Sequence, residues 1–185
     1  MGGLFPSRFQ FERTREIRYA VYRMARLSLR ERVLEVGAGE GAVAEEIAAR
    51  AESTVVALDL ARAAAAPAGV SFVRGDACAL PFADGAFDAV AFHFVLLWIR
   101  DPVPALRETR RVLGRGGVVM VLSEPDLSRR LDEPDTGLGT ELAKLVARSG
   151  GHPDSGALTG EWLSSAGFRP RLKETRAEWA SVEDP

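Results

Sequence analysis

Short apolar runs alternate with longer stretches whose apolar positions fall three or four residues apart, and this alternation persists through most of the chain. Arg32–Val36, Thr54–Leu58, Val70–Arg74 and Gly117–Ser123 have strand length and are rich in Val and other apolar residues. Phe87–Leu97 (FDAVAFHFVLL) is longer and reads as a strand buried on both faces. Between these runs the spacing turns helical. Phe9–Leu29 sets Ile17, Val21, Met24 and Leu27 on one face, which predicts that this stripe is buried. Glu40–Ala51 is rich in Ala and Glu, and Ala61–Ala66 is a short helical candidate stopped by Pro67. Pro102–Leu113 carries Pro102 near its start and is followed by Gly114, the order that helix ends prefer. Glu141–Arg148 and Gly160–Ala166 read as helices and Phe168–Trp179 as a last strand. Gly75–Gly85 is mostly loop, with a turn at Asp84-Gly85, and no internal repeat is visible.

Strands alternating with helices predict an α/β fold built on a doubly wound, mostly parallel sheet. One domain accounts for residues 1–185: an N-terminal helix cap over 1–30, a core over 31–125, and late helices with a terminal strand over 126–185. On such a sheet ligands bind at the carboxyl ends of the strands.

Composition narrows the function classes. Apolar residues make up 46% and charged residues 27%, ordinary values for a globular protein with a core. The net charge is -2 and no Lys/Arg block stands out, so no nucleic-acid partner is expected. No run of about 18 apolar residues predicts a membrane span. The first residues, MGGLFPSRF, lack an apolar leader core, and Cys78 is the single cysteine, so the expected location is the cytoplasm. No metal site is expected. Cys78 reads as a small buried hydrophobe.

The chemistry concentrates at Val33–Gly41, VLEVGAGEG. Val33, Leu34 and Val36 suit a strand, Gly37, Gly39 and Gly41 a tight turn, and a helix follows. A glycine turn lets backbone N–H groups approach a ligand at the positive end of a helix. Asp59 ends the next strand, 18 positions after Gly41, where an acid can accept hydrogen bonds from a ribose diol. Each feature has a plainer reading: strand-to-helix turn chemistry for the glycines, a helix cap for Asp59, a turn residue for Asp76. Together, in order, they describe a site for a nucleoside-containing cofactor.

The chain resembles the class I S-adenosylmethionine-dependent methyltransferases, nearest the ubiquinone/menaquinone biosynthesis-type small-molecule enzymes. The matching segments are LEVGAGEG (Leu34 to Gly41), ALDL (Ala57 to Leu60), GDACALPFADGAFDAV (Gly75 to Val90), FVLLWIRDP (Phe94 to Pro102) and ETRRVLGRGGVVMV (Glu108 to Val121). They run in family order over about half the chain. The resemblance implies a Rossmann-like domain and methyl transfer from S-adenosylmethionine to a small-molecule acceptor by in-line displacement, leaving S-adenosylhomocysteine. It also implies roles. Glu35 and the backbone of Gly37, Ala38 and Gly39 line the methionine end. Asp59 holds the ribose, Leu60 lies against the adenine, and Asp76 with Ala77 faces its amine. Phe92 to Val95, with Phe92 and His93 foremost, flank the sulfonium.

Acceptor residues are less determined. His93 is either a general base, with activity falling as pH drops through an imidazole pKa near 6.5, or a strand-end histidine bonded to backbone. Tyr19, Tyr22, Trp98 and His152 are acceptor-pocket candidates, each with an alternative as packing or solvated residues. Glu124, ending the fifth strand, either orients an acceptor or caps the next helix. No Asn-Pro-Pro-Tyr or Asp-Pro-Pro-Tyr motif follows strand four, which disfavours N-methylation of bases. Two alternatives remain: a non-catalytic cofactor-binding protein of the same fold, and a nicotinamide-dependent oxidoreductase resting on GAGEGA. Relatives usually close with two antiparallel strands, and only Phe168–Trp179 offers one here. An unpaired edge would favour pairing with a second copy.

Overall fold

The structure, a computed structural model, describes residues 11–61, 68–130 and 136–171. Five parallel strands form one sheet in the order β3-β2-β1-β4-β5: β1 (Arg32–Val36), β2 (Thr54–Asp59), β3 (Val70–Arg74), β4 (Phe87–His93) and β5 (Leu113–Ser123). Among the described residues it is accompanied by the helices α1 (Arg15–Ala25), α2 (Ala42–Arg50), α3 (Pro102–Val112), α4 (Leu138–Arg148) and α5 (Ser155–Ser165). Side-chain alternation along the strands creates two apolar layers. Val33, Val55, Ala57, Ala89, Ala91, Met120 and Leu122 pack with α1 and α2. Leu34, Val36, Leu58, Val90 and Phe92 pack with α3 and α5. The chain therefore winds outward from β1 in one direction and from β4 in the other. The crevice between the ends of β1 and β4 is the switch point where such sheets take ligands.

Three local expectations are corrected. The fourth strand stops at His93, not Leu97, because Phe94 turns into the left-handed region at φ +55° and Leu96–Trp98 form a 3-10 turn. Glu124 enforces this end: its carboxylate accepts from the N–H groups of Val95 (2.8 Å), Leu96 (2.9 Å) and Leu97 (3.1 Å). On α1 the inward stripe is Thr14, Arg18, Tyr22 and Ala25, while Met24 is 52% exposed and Ile17 and Val21 are only partly covered. The apolar period placed the stripe one position off because a polar set faces inward. Cys78 is exposed, held in a turn by Asp76, whose Oδ1 accepts from Cys78 N at 2.8 Å.

Phe168–Arg171 form no strand; Phe168 N donates to Leu163 O, closing α5. The rest of the expected terminal strand, and nearly all of the short helix expected at Ala61–Ala66, lie outside the described residues. Helix α3 starts on Asp101, whose Oδ1 accepts from Val103 N at 3.2 Å, with Pro102 in the first turn. Among the described residues no helix is long and apolar enough to cross a membrane, and no group of three His, Cys, Asp or Glu is placed to hold a metal ion.

Candidate functional site

The glycine turn is tied down on three sides. Gly37 N and Ala38 N both donate to Leu58 O, at 2.7 and 3.0 Å, and Gly39 N donates to Asp59 Oδ2 at 2.8 Å. Asp59 Oδ1 accepts from Ala61 N at 2.9 Å. These three loop amides, expected from sequence to face a ligand, are turned onto the end of β2. What the turn leaves open is space. Gly37, Gly39 and Gly41 all have positive φ, and a Cβ built on Gly39 meets no heavy atom within 4 Å. A Cβ on Gly37 would instead stand 2.5 Å from Val95 Cγ2. The turn after β1 and the turn after β4 thus touch, and only a glycine fits between them.

Glu35 lies beneath the turn, buried, and accepts from Ala44 N in the first turn of α2 at 2.7 Å. Burial pushes its carboxyl up to about 8, opposed by the Ala44 N–H and assisted by the neighbouring Asp59 charge. Burial likewise raises Glu124 to about 7, against three backbone N–H donors. Both groups hold protons in the native state above the unfolded value of 4.5. Their contribution to stability is complete below that value and is lost as pH rises through about 7 to 8. Glu35→Gln keeps an acceptor for Ala44 N–H but cannot ionise. The decline in unfolding midpoint between about pH 6 and pH 9 should be shallower in this variant than in the wild type. Parallel declines would show that Glu35 does not titrate in that window.

His93 ends β4 on the α1 side of the sheet. Its Nε2 lies 2.9 Å from Thr14 Oγ1, and its ring meets Phe94 edge-on at 4.8 Å. Burial, together with the Arg18 charge, lowers its pKa to about 3. This corrects the expected inflection near 6.5: the imidazole is neutral throughout the physiological range. Its stability contribution is present above the unfolded value of 6.5 and is lost as pH falls toward 3.

Sequence reasoning missed the groups behind His93. Arg18 is fully buried and binds Glu46 with Nε at 2.9 Å and Nη2 at 2.8 Å. It also donates to Thr14 Oγ1 at 2.8 Å and to the Phe11 carbonyl, and it stacks on the Phe11 ring. The four-residue step from Thr14 to Arg18 to Tyr22 was the available signal.

Other candidates are dispersed. Leu60 is 68% exposed just beyond Asp59, and Asp76 is exposed after β3, followed by the partly covered Ala77. The Phe92 side chain is fully buried on the opposite face, among the residues of α3 and α5. Tyr19 does not reach the turn: its hydroxyl binds Arg50 at the far end of α2, and Arg15. Tyr22 is sealed in the core, and burial, with nearby Glu46, raises its hydroxyl's pKa. His152 turns its Nε2 onto the Arg100 carbonyl at 3.0 Å and its ring onto Trp162. Trp98 stands 42% exposed on the 3-10 turn. Of the alternatives for Glu124, the geometry realises the cap, of the 3-10 turn rather than of a later helix.

Known proteins resemble this chain in sequence and fold. Residues 34–121 match a family described as the methyltransferase domain. A demethylmenaquinone methyltransferase of Thermobifida fusca is 32% identical over 168 residues, covering 82% of this chain and 70% of that protein. The chain belongs to the class I S-adenosylmethionine-dependent methyltransferases. A demethylmenaquinone methyltransferase of Renibacterium salmoninarum is 42% identical over 96 residues, 49% of this chain and 40% of that protein. The chain thus spans between less than half and about two thirds of these relatives' length. A crystal structure of a methyltransferase candidate from Bacillus halodurans superposes with a TM-score of 0.64 at 26% identity, covering 81% of this chain and 68% of that one. The matched region takes in β2, β3 and β4, most of β1 and β5, the glycine turn and Asp59. Family membership displaces the nicotinamide reading of the glycine turn.

The residues present fit a nucleoside cofactor. Each carboxylate oxygen of Asp59 accepts one backbone N–H, and a carboxylate has about four acceptor positions, so two remain for a ribose diol. Gly39 fronts open space, and the exposed Leu60 supplies an apolar surface beside it.

Proposed function

We propose that this chain binds S-adenosylmethionine across the β1–β4 crevice and transfers its methyl group to a small-molecule acceptor. The observation that carries the reading is the meeting of Gly37 with Val95 next to Asp59, which brings the nucleoside side of the crevice against the turn after β4. Asp59 accepts the ribose hydroxyls, Leu60 covers the adenine, and Asp76 with Ala77 faces its edge. Glu35 holds the start of α2 beneath the methionine end, and the turn of Gly37, Ala38 and Gly39 provides clearance there. His93 and Phe94 border the reacting methyl. Phe92, its side chain buried elsewhere, acts through its backbone. The cofactor, when bound, supplies a methyl group already activated by its sulfonium. The protein aligns the two reactants and excludes water, and alignment of this kind supplies roughly 7–11 kcal/mol. The relatives named for demethylmenaquinone support an aromatic quinol acceptor.

Calorimetry of S-adenosylhomocysteine against NAD, followed by methylation of 1,4-naphthohydroquinone, tests the reading. Tight binding of NAD and none of S-adenosylhomocysteine would end it. Binding without turnover on this and related phenols would leave the non-catalytic alternative standing. Asp59→Ala should weaken S-adenosylhomocysteine binding by about 1.5–3 kcal/mol, the worth of hydrogen bonds to a charged group. An unchanged affinity would remove Asp59 from the ribose.

A further inference from the structure

The turns after β1 and β4 meet at the crevice, and one carboxylate holds the second of them in place. After His93 the chain reverses through Phe94, whose φ of +55° lies in the left-handed region. A bulky side chain is a rare occupant of that region and persists only where its surroundings over-determine it. Here both sides of Phe94 are fixed to the end of β5. Phe94 N donates to Ser123 O at 2.9 Å. Beyond it, Val95 N and Leu96 N donate to Glu124 Oε1 at 2.8 and 2.9 Å, and Leu97 N to Oε2 at 3.1 Å. Glu124 is itself braced from α5. Pro125 O accepts from Gly156 N at 2.8 Å and from Ser155 Oγ at 3.0 Å, and a Cβ on Gly156 would stand 2.7 Å from Glu124 O. The far end of the turn is tied as well, since Leu97 O accepts from His152 N at 2.8 Å. What this clamp delivers is Val95. A Cβ on Gly37 would stand 2.5 Å from Val95 Cγ2 and 2.7 Å from Cγ1, so the valine closes on the bare backbone of the glycine turn. The same glycine turn is bonded to Asp59 through Gly39 N.

We propose that Glu124 is a positioning residue: it holds the strained turn after β4 so that Val95 seats on Gly37, and this closed arrangement is the one that binds S-adenosylmethionine. The second half rests on the methyl-transfer reading of the crevice; the first does not. The cofactor meets the wall that Glu124 sets, not Glu124 itself. Without the clamp, Phe94 relaxes toward an extended φ and carries Val95 off Gly37. Affinity then falls with the fraction of molecules whose turn stays closed.

Glu124→Gln keeps the size of the side chain and spoils the clamp, because in either orientation its NH2 faces at least one of the three backbone N–H groups. Amide hydrogen exchange should be faster at Val95, Leu96 and Leu97 in this variant, with the amides of β1 and β2 as protected as in the wild type. Calorimetry should show S-adenosylhomocysteine affinity down about tenfold, as a turn closed in about one molecule in ten dictates. A double-mutant cycle with Phe94→Gly separates positioning from packing. Glycine takes a positive φ without strain, so the turn stays closed with less help. The loss on Glu124→Gln should therefore shrink to about threefold or less in the Phe94→Gly background, and the cycle cancels whatever Phe94 contributes to affinity directly. An equal loss in both backgrounds would overturn the proposal. Wild-type amides at Val95–Leu97 that exchange freely would overturn the clamp, and this is read without any variant having to fold. Faster exchange in Glu124→Gln with full affinity would overturn its part in cofactor binding. A wild type that binds no S-adenosylhomocysteine would overturn that part together with the methyl-transfer reading, while the exchange rates by themselves decide the clamp.

Discussion

Gly39→Val is expected to abolish the proposed S-adenosylhomocysteine binding while the fold survives. Gly39 has φ +54°, and nothing in the protein lies within 4 Å of where its Cβ would stand. A side chain there collides with no part of the chain and occupies the space in front of the turn instead. The left-handed backbone costs an L-residue about 1–2 kcal/mol, and a β-branched one fares worse, so a modest drop in unfolding midpoint accompanies the change. Binding is hit twice. The valine fills the clearance, and any shift of Gly39 N draws Asp59 Oδ2 away from its place. We expect a loss of more than about a hundredfold in calorimetry, beyond what removal of a single charged hydrogen bond explains. Gly37→Ala provides the contrast. Its Cβ would lie 2.5 and 2.7 Å from the two Val95 methyls, so the turns after β1 and β4 must part. That overpacking destabilises the protein by about 1–3 kcal/mol and weakens binding only in consequence. A Gly39→Val protein that binds normally would reduce the turn to a structural element.

Arg18→Met is expected to be the most destabilising single change, by about 3–5 kcal/mol in urea unfolding, because it strips the partner from a largely buried carboxylate. Glu46 is 10% exposed and has both oxygens engaged by Arg18. Domains of this kind have about 5–15 kcal/mol in total, so a large share is at stake. The double variant Arg18→Met with Glu46→Leu should recover part of the loss, since both charges leave together and apolar volume replaces them. A cost below about 1 kcal/mol for Arg18→Met would mean that water replaces the pair, as at exposed ion pairs.

These two expectations differ in how far they could be read from sequence. The glycines at 37, 39 and 41, the strand run before them and Asp59 after the next run were visible because each is a local event. A positive φ demands glycine, a buried parallel strand demands a short run of apolar residues, and both requirements act over a few neighbours. From those the α/β alternation and the parallel sheet followed. Arg18 was not visible in that way. Apolar periodicity assumes that charge faces water, and it therefore chose Ile17, Val21 and Met24 over Thr14, Arg18 and Tyr22. What reverses that choice lies 28 residues away in Glu46 and 79 away, from Thr14, in His93.

The end of β4 follows the same rule. FDAVAFHFVLL is continuous in sequence, yet the strand stops at His93 because Glu124, just after β5, takes the N–H groups of Val95, Leu96 and Leu97 into a 3-10 turn. His93 itself was identifiable as the histidine at the carboxyl end of the fourth strand run. Its charge state was not. A pKa depends on burial and on charges brought from other elements, and here α1 contributes both the cover and the Arg18 cation. The sequence by itself determined the sheet, the glycine turn and the carboxylate beside it, because backbone conformation and strand burial are set by neighbours along the chain. Only the tertiary structure decided which face of α1 points inward, where β4 ends and which way the pKa of His93 moves. Hydrogen bonding and desolvation between distant segments set those, and no local pattern encodes them.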